Sequence, residues 1–134
     1  MIQRLNRQTK FGKQGNCLAA CISTLMGLSL EEVPNVETLF DIDDSRSSFQ
    51  DETPPLWGVV LDAFISSKGF VWREATKDEV ENPPLNKVFL CIGKSLDGST
   101  NHAVLYKNGS LFFDPNPYRK GLSKILSYQV IEKI

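Results

Sequence analysis

Three side chains in this 134-residue chain combine into one recognisable chemistry: Cys17, the single histidine His102, and Asp114. A thiol attacks as its thiolate, and an imidazole can remove its proton. A carboxylate bonded to the second ring nitrogen fixes the imidazole tautomer and stabilises the imidazolium when it forms. Such a trio attacks a carbonyl carbon and passes through a thioester. None of the three is informative alone. Free cysteine is often a small core residue, and Cys21 and Cys91 read that way. An aspartate before Pro115-Asn116-Pro117 suits the start of a turn. The weight lies in the conjunction of a cysteine in a helix's first turn, a histidine on a later strand, and an aspartate able to face it.

The elements around these residues must bring them together. Leu18, Cys21, Ile22 and Leu25 recur at three- and four-residue steps and Gly27 follows, so a short buried helix begins near Cys17 with Asn16 as its N-cap. The positive end of the helix dipole favours a thiolate there, and the Cys17 backbone N–H points outward where an oxyanion would form. His102 and Asp114 flank Asn108-Gly109, a strong hairpin signal. A two-residue turn would pair Lys107 with Ser110 and send Asp114 to the face opposite His102. A three-residue loop, Lys107-Asn108-Gly109, would pair Tyr106 with Ser110 and set His102 directly across from Asp114. It would also gather Ala103, Leu105, Leu111 and Phe113 on one apolar face. The three-residue loop, closed by Gly109 in the left-handed conformation, is the expected one.

Elsewhere Ser29-Leu30-Glu31-Glu32 has the capping-box pattern and Pro34 ends that helix early. Residues 56–65 form a second helix with Val60, Leu61, Phe64 and Ile65 as its apolar face and Gly69 as its stop. Strands are expected at Phe70–Arg73, Val88–Ile92 (fully buried), Asn101–Tyr106, Ser110–Asp114 and Tyr128–Ile131. Helices first and a mostly antiparallel sheet after them make an α+β domain spanning residues 1–134, without internal repeat or linker.

Composition narrows the function. Apolar residues are 41% and charged residues 23%, with a net charge of −1 and no basic stripe, which argues against nucleic acid as partner. The acidic stretch Glu37–Glu52 reads as a solvated loop, as does Tyr118-Arg119-Lys120, although the latter could meet an anionic group at a rim. No apolar run approaches the roughly 20 residues of a membrane span, and the first residues lack a signal-peptide pattern, so a cytoplasmic protein without membrane contact is expected. Three cysteines make an odd count and no disulfide framework is expected. Gly93-Lys94-Ser95 resembles the end of a phosphate-binding loop, but Val88 stands where its first glycine belongs. One histidine and unpaired cysteine spacing make a poor zinc set, so neither metal nor cofactor is expected. Trp57 and Trp72 read as core aromatics before cleft residues.

Gln14-Gly15-Asn16-Cys17-Leu18-Ala19-Ala20-Cys21 resembles the nucleophile helix of papain-like cysteine peptidases, particularly the compact bacteriocin-processing type that cleaves after double glycines. His102-Ala103-Val104 and Phe113-Asp114-Pro115 resemble that superfamily's histidine strand and aspartate. The string running through Glu31-Glu32-Val33-Pro34, Gly93-Lys94-Ser95, Asn108-Gly109 and Asp114-Pro115-Asn116-Pro117 is also similar to small bacteriophage-encoded proteins. The resemblance implies a papain-like fold and a peptidase or amidase acting on a peptide, isopeptide or side-chain amide, host-derived if the chain serves a phage. It also implies a glutamine upstream of the cysteine that completes the oxyanion hole. Gln8, nine residues upstream, is the favoured candidate, and Gln14, three upstream, is the alternative. Two other readings stay open: a binding module that sequesters a host protein or small molecule without turnover, and an acyltransferase or transglutaminase-like enzyme.

Overall fold

The structure, a computed structural model, describes residues 5–11, 15–34, 36, 39, 56–96, 101–118 and 121–134. Helix α1 spans Cys17–Met26 and buries Leu18, Cys21, Ile22 and Met26. Gly27 ends it at φ 72°, where its N–H donates to Thr24 O and the N–H of Leu28 donates to Ser23 O at 2.9 Å. Only glycine adopts that left-handed cap without strain, which is why the helix stops where the sequence indicates. A single 3-10 turn, Leu30–Glu32, replaces the expected capped helix, with the Ser29 N–H donating to Glu32 Oε2.

Helix α2, Leu56–Ser67, buries Leu61 and Ile65 and rests Trp57 and Phe64 against the core. Val60 is not on that face: it is 38% exposed, because helical geometry turns it away from Leu61 and Ile65. Trp57 and Trp72 pack together with ring centroids 6.5 Å apart, and the Trp72 indole donates to Gln129, so both serve the core edge. A short helix not expected from the sequence, α3 (Lys77–Glu81), is capped by Thr76 Oγ1, which accepts from the Glu79 N–H. Arg73 clamps it with two bonds to the Glu79 carboxylate, at 2.7 and 2.9 Å, and a third to Glu132 at 3.0 Å.

The strands are β1 (Phe70–Glu74), β2 (Val88–Lys94), β3 (Asn101–Lys107), β4 (Ser110–Phe113) and β5 (Lys124–Lys133), in the order β1-β5-β2-β3-β4 with all pairings antiparallel. This is the α+β architecture with an antiparallel sheet that the sequence predicts. The central strand β2 is buried on both faces. Leu90 joins the main core with Ile22, Leu61, Ile65 and Leu105, while Phe89 and Cys91 pack with Val104 and Val130 on the other side. Each large aliphatic removed from water in this way contributes about 1.5–3 kcal/mol.

The β3–β4 hairpin departs from the expected loop. Lys107 pairs with Ser110, leaving a two-residue turn in which Asn108 and Gly109 take φ of 54° and 80°. Both positive angles mark the mirror-image turn whose twist matches the strands, the best match for Asn-Gly. Continued without interruption, this register would put His102 and Asp114 on opposite faces. A bulge intervenes: Tyr106 pairs with Leu111 but Leu105 pairs with Phe113, so Phe112 is the extra residue. That single insertion restores the parity of His102 and Asp114 as diagonal neighbours. It also corrects the expected apolar face, since Ala103, Leu105 and Phe113 enter the main core while Leu111 packs with Tyr106 on the opposite side.

Candidate active site

Asp114 lies one residue beyond β4, and its carboxylate accepts three hydrogen bonds. Its side chain is 1% exposed, so it must be paired to be tolerated. Oδ1 accepts from His102 Nε2 at 2.7 Å and from the Asn116 N–H at 2.8 Å, and Oδ2 accepts from the Gly121 N–H at 2.7 Å. The bond to Asn116 is the turn-initiating bond that an aspartate before a proline makes. Turn residue and histidine partner are therefore the same carboxylate, not competing readings.

Engaging Nε2 leaves Nδ1 as the ring nitrogen open to a second partner, and Cys17 lies close enough to act on the ionisation of His102. Burial is the largest single influence on the imidazole and disfavours its charged form. The influence of Asp114 and Cys17 together outweighs it and raises His102 from the ordinary 6.5 to about 9. The half-buried Cys17 opens α1 without an acidic residue in that first turn to oppose a thiolate. Burial pushes Cys91 up to about 12 and drives Cys21 well above the ordinary thiol range, so neither is a nucleophile. The structure thus brings Cys17, His102 and Asp114 together.

The surroundings are built differently from expectation. Asn16 makes no side-chain cap to α1. Its Oδ1 instead accepts from the N–H groups of Thr9 and Lys10, both at 2.9 Å, and its Nδ2 donates to Thr9 Oγ1. A distant segment with two free donors outcompetes the local cap. That segment, residues 5–11, runs antiparallel along α1. Asn6 donates from its backbone to Thr24 Oγ1 and from its side chain to Ser23 Oγ and Leu28 O. On its other side Arg7 Nη1 donates to Asp114 O at 2.8 Å with its guanidinium over the Phe113 ring, and the Gln8 N–H donates to Pro115 O at 3.0 Å. The segment therefore bonds to both α1 and the Asp114 turn. Asn6, Arg7, Asn116 and Gly121 were not among the predicted site residues. Only Asn116, in an Asp-Pro-Asn-Pro turn, carried a local signal.

Gln8 is 6% exposed within this segment. One hydrogen of its Nε2 is used by Lys10 O at 2.9 Å, and its Oε1 is buried without a hydrogen-bond partner. An amide nitrogen carries two hydrogens, so one remains for an acceptor. Gln14 lies outside the described residues, as do Glu37–Glu52 apart from Leu39, and Arg119-Lys120. Among the described residues, no cluster of three or more histidine, cysteine or acidic side chains could hold a metal ion, and no helix is long and apolar enough to cross a membrane. Compared with family models, with curated proteins and with solved structures, the chain finds no match in any of the three. Its own side-chain geometry carries the functional argument.

Proposed function

We propose that this chain is a papain-like cysteine hydrolase in which Cys17 forms a thioester with the acyl part of a peptide, isopeptide or side-chain amide. The observation that carries the reading is His102, bonded through Nε2 to a buried carboxylate and influenced by the one half-exposed thiol, Cys17. Cys17 Sγ attacks the carbonyl carbon as His102 holds the thiol proton. The C–N bond then breaks and the proton passes to the leaving amine. Water, deprotonated by His102, hydrolyses the thioester and returns the site to its starting state. The oxyanion meets the Cys17 N–H and the second hydrogen of Gln8 Nε2; removing one such donor typically costs about 10²–10³ in rate. A phage-encoded factor acting on a host target in the cytoplasm is consistent with the resemblance in the sequence.

Sequestration without turnover is the second reading, and one observation favours it. Lys10 O already draws on Gln8 Nε2, which leaves the oxyanion hole with a single free hydrogen from that side chain. Acylation by p-nitrophenyl acetate separates the two. The hydrolase reading predicts a burst of p-nitrophenol stoichiometric with protein, acetyl on Cys17 by peptide mass spectrometry, and loss of the burst in Cys17→Ser. A release rate that is the same in Cys17→Ser would select the binding module.

A further inference from the structure

Two exposed aromatic rings meet where the two loops of the site come together. Phe11 and Tyr118 lie with ring centroids 5.7 Å apart and planes tilted by 48°. Phe11 is 47% exposed and Tyr118 82% exposed, so both side chains still face solvent. Each ring is tied by a short chain of bonds to a group of the candidate site. Phe11 follows Lys10, whose carbonyl accepts from Gln8 Nε2 at 2.9 Å and from the Asn16 N–H at 3.2 Å, and Asn16 adjoins Cys17. Tyr118 donates its N–H to Asn116 Oδ1 at 2.8 Å, and Asn116 donates its own N–H to Asp114 Oδ1. One ring therefore belongs to the nucleophile side and the other to the Asp114 side.

Large aromatics left in water in mutual contact have a cost that the fold does not require, since the core is complete without them. Rings tilted by about half a right angle leave a wedge, and a third ring entering it gains offset and edge-to-face contacts with both. An aliphatic chain would gain only the area. We infer that Phe11 and Tyr118 form a recognition rim for the Cys17 site, selecting peptides with an aromatic side chain next to the carbonyl under attack. The inference rests on the reading of Cys17 as the nucleophile and adds the substrate class to it.

Two peptidyl chloromethyl ketones test it, acetyl-Gly-Phe and acetyl-Gly-Ala, which differ only in the side chain beside the ketone. Each alkylates Cys17 as the Sγ–CH2 bond forms and chloride leaves. Rates are divided by the iodoacetamide rate of the same protein, which removes differences in thiol reactivity. In the wild type the Phe reagent is expected to react at least about tenfold faster than the Ala reagent. That ratio should fall toward one in Phe11→Ala and in Tyr118→Ala, and persist in Tyr118→Phe, where the ring remains. A ratio near one in the wild type, or one retained in the double alanine variant, would overturn the rim. An iodoacetamide rate no faster than that of an ordinary thiol would count against the nucleophile reading alone, because the reagent ratio is still measured.

Discussion

Asp114 holds the site at the scale of single residues, because one carboxylate anchors a turn and orients a histidine. Its three hydrogen bonds satisfy a buried carboxylate, and the one to His102 helps hold that imidazole at about 9. The sign of the consequence follows from linkage. A histidine whose folded value lies above its unfolded value stabilises the fold fully below about pH 6.5, and the contribution is lost as pH rises through about 9. With its partial exposure discounted, the effect is on the order of 2 kcal/mol. Urea unfolding of the wild type should therefore show stability falling between pH 6.5 and 9. In Asp114→Asn that fall should be flattened, with the larger loss relative to wild type at the acidic end. Equal pH dependence in the two proteins would mean that Asp114 does not set the ionisation of His102. The trio itself was legible from residue types, because thiol, imidazole and carboxylate are scarce in combination here. The proposed oxyanion partner was less so: Gln8 lies buried against the Asp114-Pro115 backbone, and its bond to Lys10 O depends on a loop conformation that no local pattern encodes.

At the scale of elements, two irregularities in the sheet adjoin the site. The bulge at Phe112 gives His102 and Asp114 matching parity, and a second register shift separates Ile92 from Gly93 between β2 and β5. Gly93 pairs with His102 across β2–β3, and a Cβ placed on it would stand 1.9 Å from Lys124 O, a backbone atom that cannot swing aside. Gly93→Ala must therefore push β5 away from β2 beside the histidine. A loss of about 1–3 kcal/mol in stability is expected, with slower acylation of Cys17. Unchanged urea midpoint and acylation rate would show that the close approach is not needed. Helix α1, its Gly27 cap and the buried run of β2 were readable, since each depends on local periodicity or a required left-handed residue, whereas a two-residue Asn108-Gly109 turn stands where a three-residue loop was expected. The bulge was not readable. Asn108-Gly109 dictates the turn, but where the ladder slips depends on which of Leu111, Phe112 and Phe113 the two faces of the sheet can bury. That is decided by packing, not by local propensity.

Across the whole molecule, the segment 5–11 joins what the fold would otherwise leave separate. Asn6 and Asn16 stitch it to α1, while Arg7 and Gln8 bond to the Asp114-Pro115 backbone. Its role was invisible in the sequence because the bonds of Asn6, Arg7 and Gln8 join residues distant along the chain, and a polar N-terminal stretch has no periodicity to betray a docked position. The α+β class was visible, since helical periods precede strand periods along the chain. The central proposal is that His102 activates Cys17, while burial raises the thiols of Cys21 and Cys91. The direct measurement is the iodoacetamide alkylation rate across about pH 4 to 9, in wild type and His102→Ala, with each modified cysteine identified by mass spectrometry. The account predicts labelling confined to Cys17, already fast below neutral pH and reduced at least about tenfold without His102. Labelling that rises with pH like an ordinary thiol in both proteins, or that reaches Cys21 or Cys91 in the folded state, would contradict it.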